Sequence, residues 1–285
     1  MSDICLYVVE REGIRPLPVS PYVTAFYQLY DGMKLGVYSA LRTYQQNKFL
    51  WLDDHIQRMV RSMELLGWRY ELDEAGLRRG LHQATSAYPF AEARVRFDVL
   101  AEPLRQYDSE SRVLIALMRF AGIPAHTYTD GVKVDFAEAL HRVTPLAKTA
   151  DFAAARQAYT IGTEDVYERL LLDHEGRILE CTSANFLGMR DGAVYTAGEG
   201  VLEGITLKII LSLLDDLHIP WHLQPVHVDQ IPALDEAALC SSSRALMPIV
   251  QIGQQMVGNG RPGPVTQRIL AVYNDFVARE VKTAV

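Results

Sequence analysis

The chain has few cysteines, no long apolar run and no excess of positive charge. Its 285 residues include three cysteines, Cys5, Cys181 and Cys240, so far apart that neither a disulfide framework nor paired zinc-ligand spacing is present. The formal net charge of -7 argues against a general nucleic-acid surface. The apolar runs are far shorter than the roughly 20 residues that span a bilayer, and the N-terminus lacks signal-peptide features. These absences predict a soluble cytoplasmic protein without a nucleic-acid or membrane partner.

What is present is an ordinary globular composition that is long enough for two domains. Hydrophobic residues make up 49% of the chain and charged residues 22%. Strand and helix patterns alternate up to about residue 120, and a turn-rich stretch follows. We therefore predict an α+β protein with a small N-terminal α/β domain over 1–120, a linker over 121–126 and a larger α/β domain over 127–285. A ligand cleft is expected between two such domains.

Hydrophobic periodicity predicts the clearest elements. The predicted strands cover 34–44, 94–100, 112–120, 170–173 and 237–241. The predicted helices cover 54–66, capped by Asp53, and 150–158, 207–217 and 264–278.

Three short motifs follow one another in the second half of the chain. Lys148 lies in Pro145-Leu146-Ala147-Lys148-Thr149-Ala150-Asp151-Phe152, and Glu180 and Asn185 lie in the segment 176–186. The small-residue loop Leu202-Glu203-Gly204-Ile205-Thr206 comes next. A desolvated lysine near cations loses its proton and becomes a nucleophile, and backbone N–H groups bind phosphate. A lysine, a carboxylate and a phosphate loop are what pyridoxal 5'-phosphate (PLP) chemistry needs.

The order and spacing of these motifs resemble the class IV aminotransferases, which hold PLP in fold type IV. The relatives include branched-chain aminotransferases, D-amino-acid aminotransferases and aminodeoxychorismate lyases. The resemblance runs from about Gly36 to the C-terminus and is strongest over 148–266. It implies a two-domain fold type IV enzyme that assembles as a homodimer and acts on small amino acids and keto acids.

The resemblance also implies the roles of the cofactor-binding residues. Lys148 is the catalytic lysine that joins the cofactor as a Schiff base, and Glu180 faces the pyridine nitrogen. Asn185 braces the turn that runs from Glu180 to Asn185 itself. The phosphate is bound by an arginine in the motif 55–59, the small-residue loop and a serine: Arg58, Gly204, Ile205, Thr206 and Ser242.

Substrate contacts are implied at Tyr38, Arg96 and Ser243, where Tyr38 forms an aromatic wall and Arg96 binds a dicarboxylate. The segment 261–266 is similar to an R-x-G-P-V-T stretch of branched-chain aminotransferases. Ser39 and Ala40 depart from the family, in which Glu-Gly follows the aromatic residue. Val166 stands where a tyrosine usually bonds the cofactor's phenolic oxygen.

These features favour a PLP-dependent aminotransferase of branched-chain L-amino acids with 2-oxoglutarate. An aminodeoxychorismate lyase, a D-amino-acid aminotransferase and a catalytically silent protein on the same fold stay open as alternatives. The histidines His141, His174 and His222 do not form a ligand cluster, so no metal is expected.

Overall fold

The structure is a computed structural model that describes residues 3–30, 32–159 and 161–285. Its internal contacts divide the chain into two compact units. The first unit comprises Met1–Ala121, Ala147–Ala154 and Glu280–Val285, and the second comprises Gly122–Leu146 and Ala155–Arg279. Among the described helices, none has both the length and the apolar character that a membrane span requires.

The described residues form strands and α-helices joined by turns and short 3-10 helices. The strands are β1 (Ile4–Glu10), β2 (Gly13–Leu17), β3 (Val37–Arg42), β4 (Lys48–Phe49), β5 (Ala93–Val99), β6 (Val113–Arg119), β7 (Val132–Phe136), β8 (Glu168–Leu172), β9 (Ile178–Cys181), β10 (Asn185–Arg190), β11 (Ala193–Thr196), β12 (Trp221–Leu223), β13 (Glu236–Ser241), β14 (Ala245–Ile252), β15 (Gln255–Met256) and β16 (Lys282–Thr283). The helices are α1 (Leu52–Leu65), α2 (Glu74–Ser86), α3 (Ala125–Asp130), α4 (Ala150–Ala155), α5 (Ile205–Asp216) and α6 (Pro264–Glu280).

The first unit is built on a five-stranded antiparallel sheet in the order β2-β1-β6-β5-β3. Helices α1 and α2 pack on one face, where Phe97 of β5 meets Ile56 and Leu81 in a buried core. Successive side chains of a strand point to opposite faces, so Arg96 and Asp98 lie on the same face of β5. The sheet thus has an apolar core against α1 and α2 on one side, and on the other side a second apolar cluster beside Arg96 and Asp98.

The segment that carries Lys148 belongs to the first unit. The Tyr38 amide donates to the Lys148 carbonyl at 3.0 Å, and the Lys148 amide donates to Ser62 Oγ at 3.1 Å. Val37 and Thr149 form an isolated antiparallel bridge. The sequence placed Lys148 in the large domain, and these long-range contacts attach it to the first unit instead. The rest of the predicted domain division stays a prediction.

The second unit is built on a nine-stranded sheet in which six strands form a closed ring. The ring runs β10-β13-β14-β7-β8-β9 and returns to β10. Its closing pair is Asn185 of β10 opposite Glu180 of β9. Strands β11 and β12 extend from β10, and β15 pairs with β14. Two residues predicted for the cofactor site are therefore the register partners that close the ring.

Glu236 binds the N-terminus of α6. Its carboxylate accepts from the Val265 amide at 2.9 Å, the Thr266 amide at 2.8 Å and Thr266 Oγ1 at 2.6 Å. A Cβ atom on Gly263 would lie 2.1 Å from Glu236 Cδ. The segment 261–266, which resembles branched-chain enzymes, thus leads into α6, and Glu236 accepts hydrogen bonds from the first amides of that helix.

Most predicted elements are present, with shifted ends. The strands predicted at 94–100, 112–120 and 237–241 are β5, β6 and β13. The predicted cap Asp53 is wrong, because α1 is preceded by Trp51 in a left-handed conformation and Asp53 lies in its first turn. The predicted linker 121–126 runs into α3 at Ala125, and the helix predicted over 150–158 changes to a 3-10 helix after Ala155.

Candidate active site

The backbones of Lys148 and Arg58 are both hydrogen-bonded to the side chain of Ser62 in the first unit. Ser62 Oγ accepts from the Lys148 amide at 3.1 Å and donates to the Arg58 carbonyl at 2.8 Å. The Lys148 amine lies 4.9 Å from the ring centroid of Tyr38. The structure therefore brings Tyr38, Arg58 and Lys148 together within one compact unit.

The side chain of Arg58 is held by Ser39 and His55, which are both buried. Arg58 Nη2 donates to Ser39 Oγ at 3.1 Å, and Ser39 Oγ lies 2.9 Å from His55 Nδ1. Burial, reinforced by the charges of Arg58 and Lys148, lowers the pKa of His55 well below its ordinary value. We assign a neutral His55 whose Nδ1 accepts from Ser39, because Ser39 then receives one hydrogen bond and gives one.

Arg96 is buried on the face of the first unit's sheet opposite α1 and α2, and it is already paired. Its Nε and Nη2 donate to the carboxylate of Asp98 at 2.6 to 3.0 Å. Its guanidinium lies 4.2 Å from the ring centroid of Tyr30 and 4.1 Å from that of Tyr38. The Tyr38 ring thus contacts both Arg96 and the Lys148 amine. Arg96, which the sequence predicted to bind a dicarboxylate substrate, is thus paired with a carboxylate of the protein itself, that of Asp98.

Glu180 is buried at the end of β9 in the second unit. Its Oε1 accepts from Arg142 Nε at 2.5 Å and from the Leu202 amide at 3.4 Å. The ion pair is almost fully enclosed, with side-chain exposures of 6% for Arg142 and 2% for Glu180. A buried carboxylate in this setting keeps a fixed orientation because its partner is a charged hydrogen-bond donor.

Asn185 contacts the segment that leads into α5. Its Nδ2 donates to the Leu202 carbonyl at 2.9 Å. A Cβ atom on Gly204 would lie 1.8 Å from Asn185 Oδ1, so only glycine fits at this position. Gly204 is the N-cap of α5 and has no side chain to bind the first amides, which belong to Ile205 and Thr206. The helix start therefore offers N–H donors of the kind that bind phosphate.

Ser242 and Ser243 are partly exposed in the turn between β13 and β14. Arg244 fixes this turn through Ser241 Oγ at 2.9 Å and Glu168 Oε2 at 3.0 Å. The turn follows Cys240, the register partner of Asn185. The second unit thus brings Ser242 to the end of the ring that carries Asn185.

Arg244 also links the serine turn to the turn before Asn185. Its Nη2 donates to the Ser183 carbonyl at 2.8 Å, and Thr182 Oγ1 donates to Glu168 at 2.5 Å. Burial opposes the charge of Glu168, but Arg244 and the hydroxyl donors outweigh it and lower the pKa of Glu168. An ionised Glu168 therefore holds both turns.

Several contributing residues were not found from the sequence. Asp98 could have been found from the sequence, because residues two positions apart on a strand lie on the same face, and Asp98 is two positions from Arg96. No sequence pattern indicated the other four residues, because their hydrogen-bond partners are 38 to 86 positions away in the chain: Arg142, Arg244, Ser62 and Tyr30.

The neutral state assigned to His55 predicts a pH dependence of folding. Below its ordinary pKa of about 6.5, the unfolded chain takes up a proton that folded His55 refuses, so stability falls as the pH falls. His55→Asn keeps an acceptor near the Nδ1 position and should remove a slope approaching about 1.4 kcal/mol per pH unit. Urea unfolding from about pH 5 to about pH 8 measures it.

His126→Asn, which replaces an exposed histidine, serves as the matched control and should keep the wild-type slope. Equal slopes for wild type and His55→Asn would show that folded His55 takes up a proton as readily as it does in the unfolded chain, which would contradict the neutral state.

Comparisons with known proteins agree with this arrangement. The family model for amino-transferase class IV matches residues 36–252. A D-alanine aminotransferase from Staphylococcus haemolyticus is 32% identical over 109 residues, which cover 37% of this chain and 39% of that enzyme. A branched-chain-amino-acid aminotransferase from Pseudomonas aeruginosa is 24% identical over 269 residues, 88% of this chain and 86% of that enzyme.

The fold has close counterparts among solved structures. A structure described as a branched-chain amino acid aminotransferase from Thermotoga maritima superposes with a TM-score of 0.77 at 22% identity, covering 97% of each chain. This likeness confirms the predicted α+β fold of type IV. The family match spans most of the chain and includes Lys148, Glu180 and the loop at Gly204. The chain therefore belongs to the class IV aminotransferases, enzymes that use PLP as their cofactor.

Proposed function

We propose that the enzyme transaminates branched-chain L-amino acids, with 2-oxoglutarate as the amino acceptor. The observation that carries this proposal is the row formed by the Lys148 amine, the Tyr38 ring and Arg96 in the first unit. An aromatic wall beside the nucleophile suits an apolar side chain, and an arginine next to that wall suits a carboxylate. The full-length similarity to a branched-chain enzyme agrees with it.

The residues fit the family's cofactor by their chemistry. In the second unit, the start of α5 presents the amides of Ile205 and Thr206 to an anion. Ser242 adds a hydroxyl and Glu180 a buried carboxylate. We propose that these residues bind the phosphate and the pyridine nitrogen.

In the first unit we propose that Arg58 supplies a cation for the phosphate and that Lys148 is the nucleophile. Ser39 and His55 hold Arg58 in place, and Ser62 fixes the backbone of Lys148. The bound cofactor supplies an electron sink for the substrate α-carbon when Glu180 keeps the ring nitrogen protonated. Lys148 Nζ would take the proton from that carbon and deliver it to the cofactor's C4′.

Two further parts of the proposal rest on the family resemblance alone. One is assembly as a homodimer. The other is the placement of Ser243 beside the substrate, where its partly exposed turn position is compatible with the role.

A D-amino-acid aminotransferase is the second candidate. The observation that favours it is the 32% identity to a D-alanine aminotransferase, the highest among the relatives compared above. The pairing of Arg96 with Asp98 also weakens the support that Arg96 gives to a dicarboxylate acceptor.

The brace between Asn185 and Gly204 makes PLP affinity sensitive to both residues. Gly204→Ala forces Asn185 away from the Leu202 carbonyl and should raise the PLP dissociation constant about tenfold. Asn185→Ala removes the same brace. The double variant should therefore bind PLP no more weakly than the weaker single variant, because both substitutions disturb one contact. Equilibrium titration of the apoenzyme with PLP measures this, and additive losses would contradict the coupling.

The proposed function predicts one stoichiometric half-reaction. Holoenzyme mixed with L-leucine and no acceptor should release about one equivalent of 4-methyl-2-oxopentanoate per chain. Lys148→Ala should slow this release at least a hundredfold, roughly the contribution of a general base. Lys133→Ala, which replaces an exposed lysine, is the matched control.

Release of pyruvate from D-alanine, with none of the branched 2-oxo acid from L-leucine, would move the assignment to the second candidate. Full activity of Lys148→Ala would remove Lys148 from the mechanism.

A further inference from the structure

Arg96 and Asp98 form an enclosed ion pair beside Tyr38. The side chain of Asp98 is fully buried, and the side chain of Arg96 is 7% exposed. Three N–H···O contacts of 2.6 to 3.0 Å join them through the Nε–Nη2 edge of the arginine. That edge is one of the two through which a guanidinium forms a fork with a carboxylate, and Asp98 occupies it.

Tyrosine rings complete the enclosure. The hydroxyl of Tyr30 donates to Asp98 Oδ2 at 2.7 Å, and the rings of Tyr30 and Tyr38 lie 4.2 and 4.1 Å from the Arg96 guanidinium. Burial and the neighbouring Asp98 raise the pKa of Tyr30 well above its ordinary value, so this hydroxyl keeps its proton. The carboxylate of Asp98 thus accepts hydrogen bonds from both Arg96 and Tyr30 within the protein itself.

The pair is electrically neutral, which changes what an arginine at this place can recognise. A second substrate carboxylate that approaches Arg96 also approaches the carboxylate of Asp98, and like charges in a buried setting repel each other strongly. An apolar side chain against Tyr38 suffers no such penalty. The Asp98 carboxylate therefore works against dicarboxylates and leaves branched side chains unaffected.

We propose that Asp98 is a specificity-determining residue, which neutralises Arg96 and makes the enzyme prefer substrates without a second carboxylate. This inference rests on the proposed function, in which Arg96 and Tyr38 face the substrate. It deepens that function: 2-oxoglutarate stays the amino acceptor but binds weakly, and the branched-chain amino acids and monocarboxylic 2-oxo acids bind more tightly.

The test compares two unreactive ligands of the holoenzyme by calorimetric titration. Glutarate is glutamate without its amino group, and 4-methylvalerate is leucine without its amino group. The wild type should bind 4-methylvalerate more tightly. Asp98→Asn keeps the shape of the side chain but removes its charge, and should shift the ratio of the two dissociation constants about tenfold or more toward glutarate.

Two control variants separate local charge from other effects. Glu92→Gln removes one negative charge from a carboxylate that pairs with Arg42, and should leave the ratio within about twofold of the wild type. The double variant Arg96→Gln with Asp98→Asn leaves no unpaired buried charge. It can therefore replace Asp98→Asn in the test if that single variant does not fold. Its ratio should stay within about threefold of the wild type, since the pair it removes is neutral.

Three results would overturn the proposal. The first is a wild type that prefers glutarate. The second is a folded Asp98→Asn, verified by circular dichroism, with the wild-type ratio. The third is a tenfold loss of glutarate binding in the double variant, which would show that Arg96 binds a second carboxylate despite Asp98. Because these are binding ratios, they stand apart from whether L-leucine is turned over.

Discussion

The closure of the second unit's strands into a ring is the constraint on which its candidate site depends. The pair that closes the ring is Glu180 opposite Asn185, so strand pairing itself sets these two residues side by side. Asn185 then holds the Leu202 carbonyl and fills the space beside Gly204. From that contact follow the position of the first turn of α5 and the direction of its amides. One backbone pairing therefore fixes a carboxylate and an anion-binding helix start together.

Buried arginine–carboxylate pairs lie in both units at the places where function is proposed. Arg142 with Glu180 and Arg244 with Glu168 lie in the second unit, and Arg96 with Asp98 lies in the first. Burying such charges is costly, and the cost is offset only when each is paired and hydrogen-bonded. Removing one member would leave an unpaired buried charge, which is far more harmful than the absence of both. These pairs orient neighbouring groups more than they add net stability.

Local patterns carried the sequence-based predictions that agree with the structure. Strand alternation found β5 and β6, and the motif at 202–206 marked the start of α5, because a few adjacent residues determine these features. Features that depend on distant partners were out of reach. The attachment of Lys148 to the first unit depends on Ser62 and Tyr38, and the cap of α1 depends on the left-handed turn at Trp51. The ion pair of Arg96 with Asp98 could have been predicted, because the two residues lie on the same face of β5.

The central claim is that Lys148 is the residue that holds the cofactor covalently, and borohydride reduction of the holoenzyme tests it most directly. Reduction fixes PLP on the lysine amine, and trypsin then fails to cut at the modified residue. Mass spectrometry of the digest should find the phosphopyridoxyl group on a single peptide that runs from Val143 to Arg156 and carries Lys148 uncleaved. A label on another lysine, or an unlabelled chain from protein that retains bound PLP, would contradict the claim.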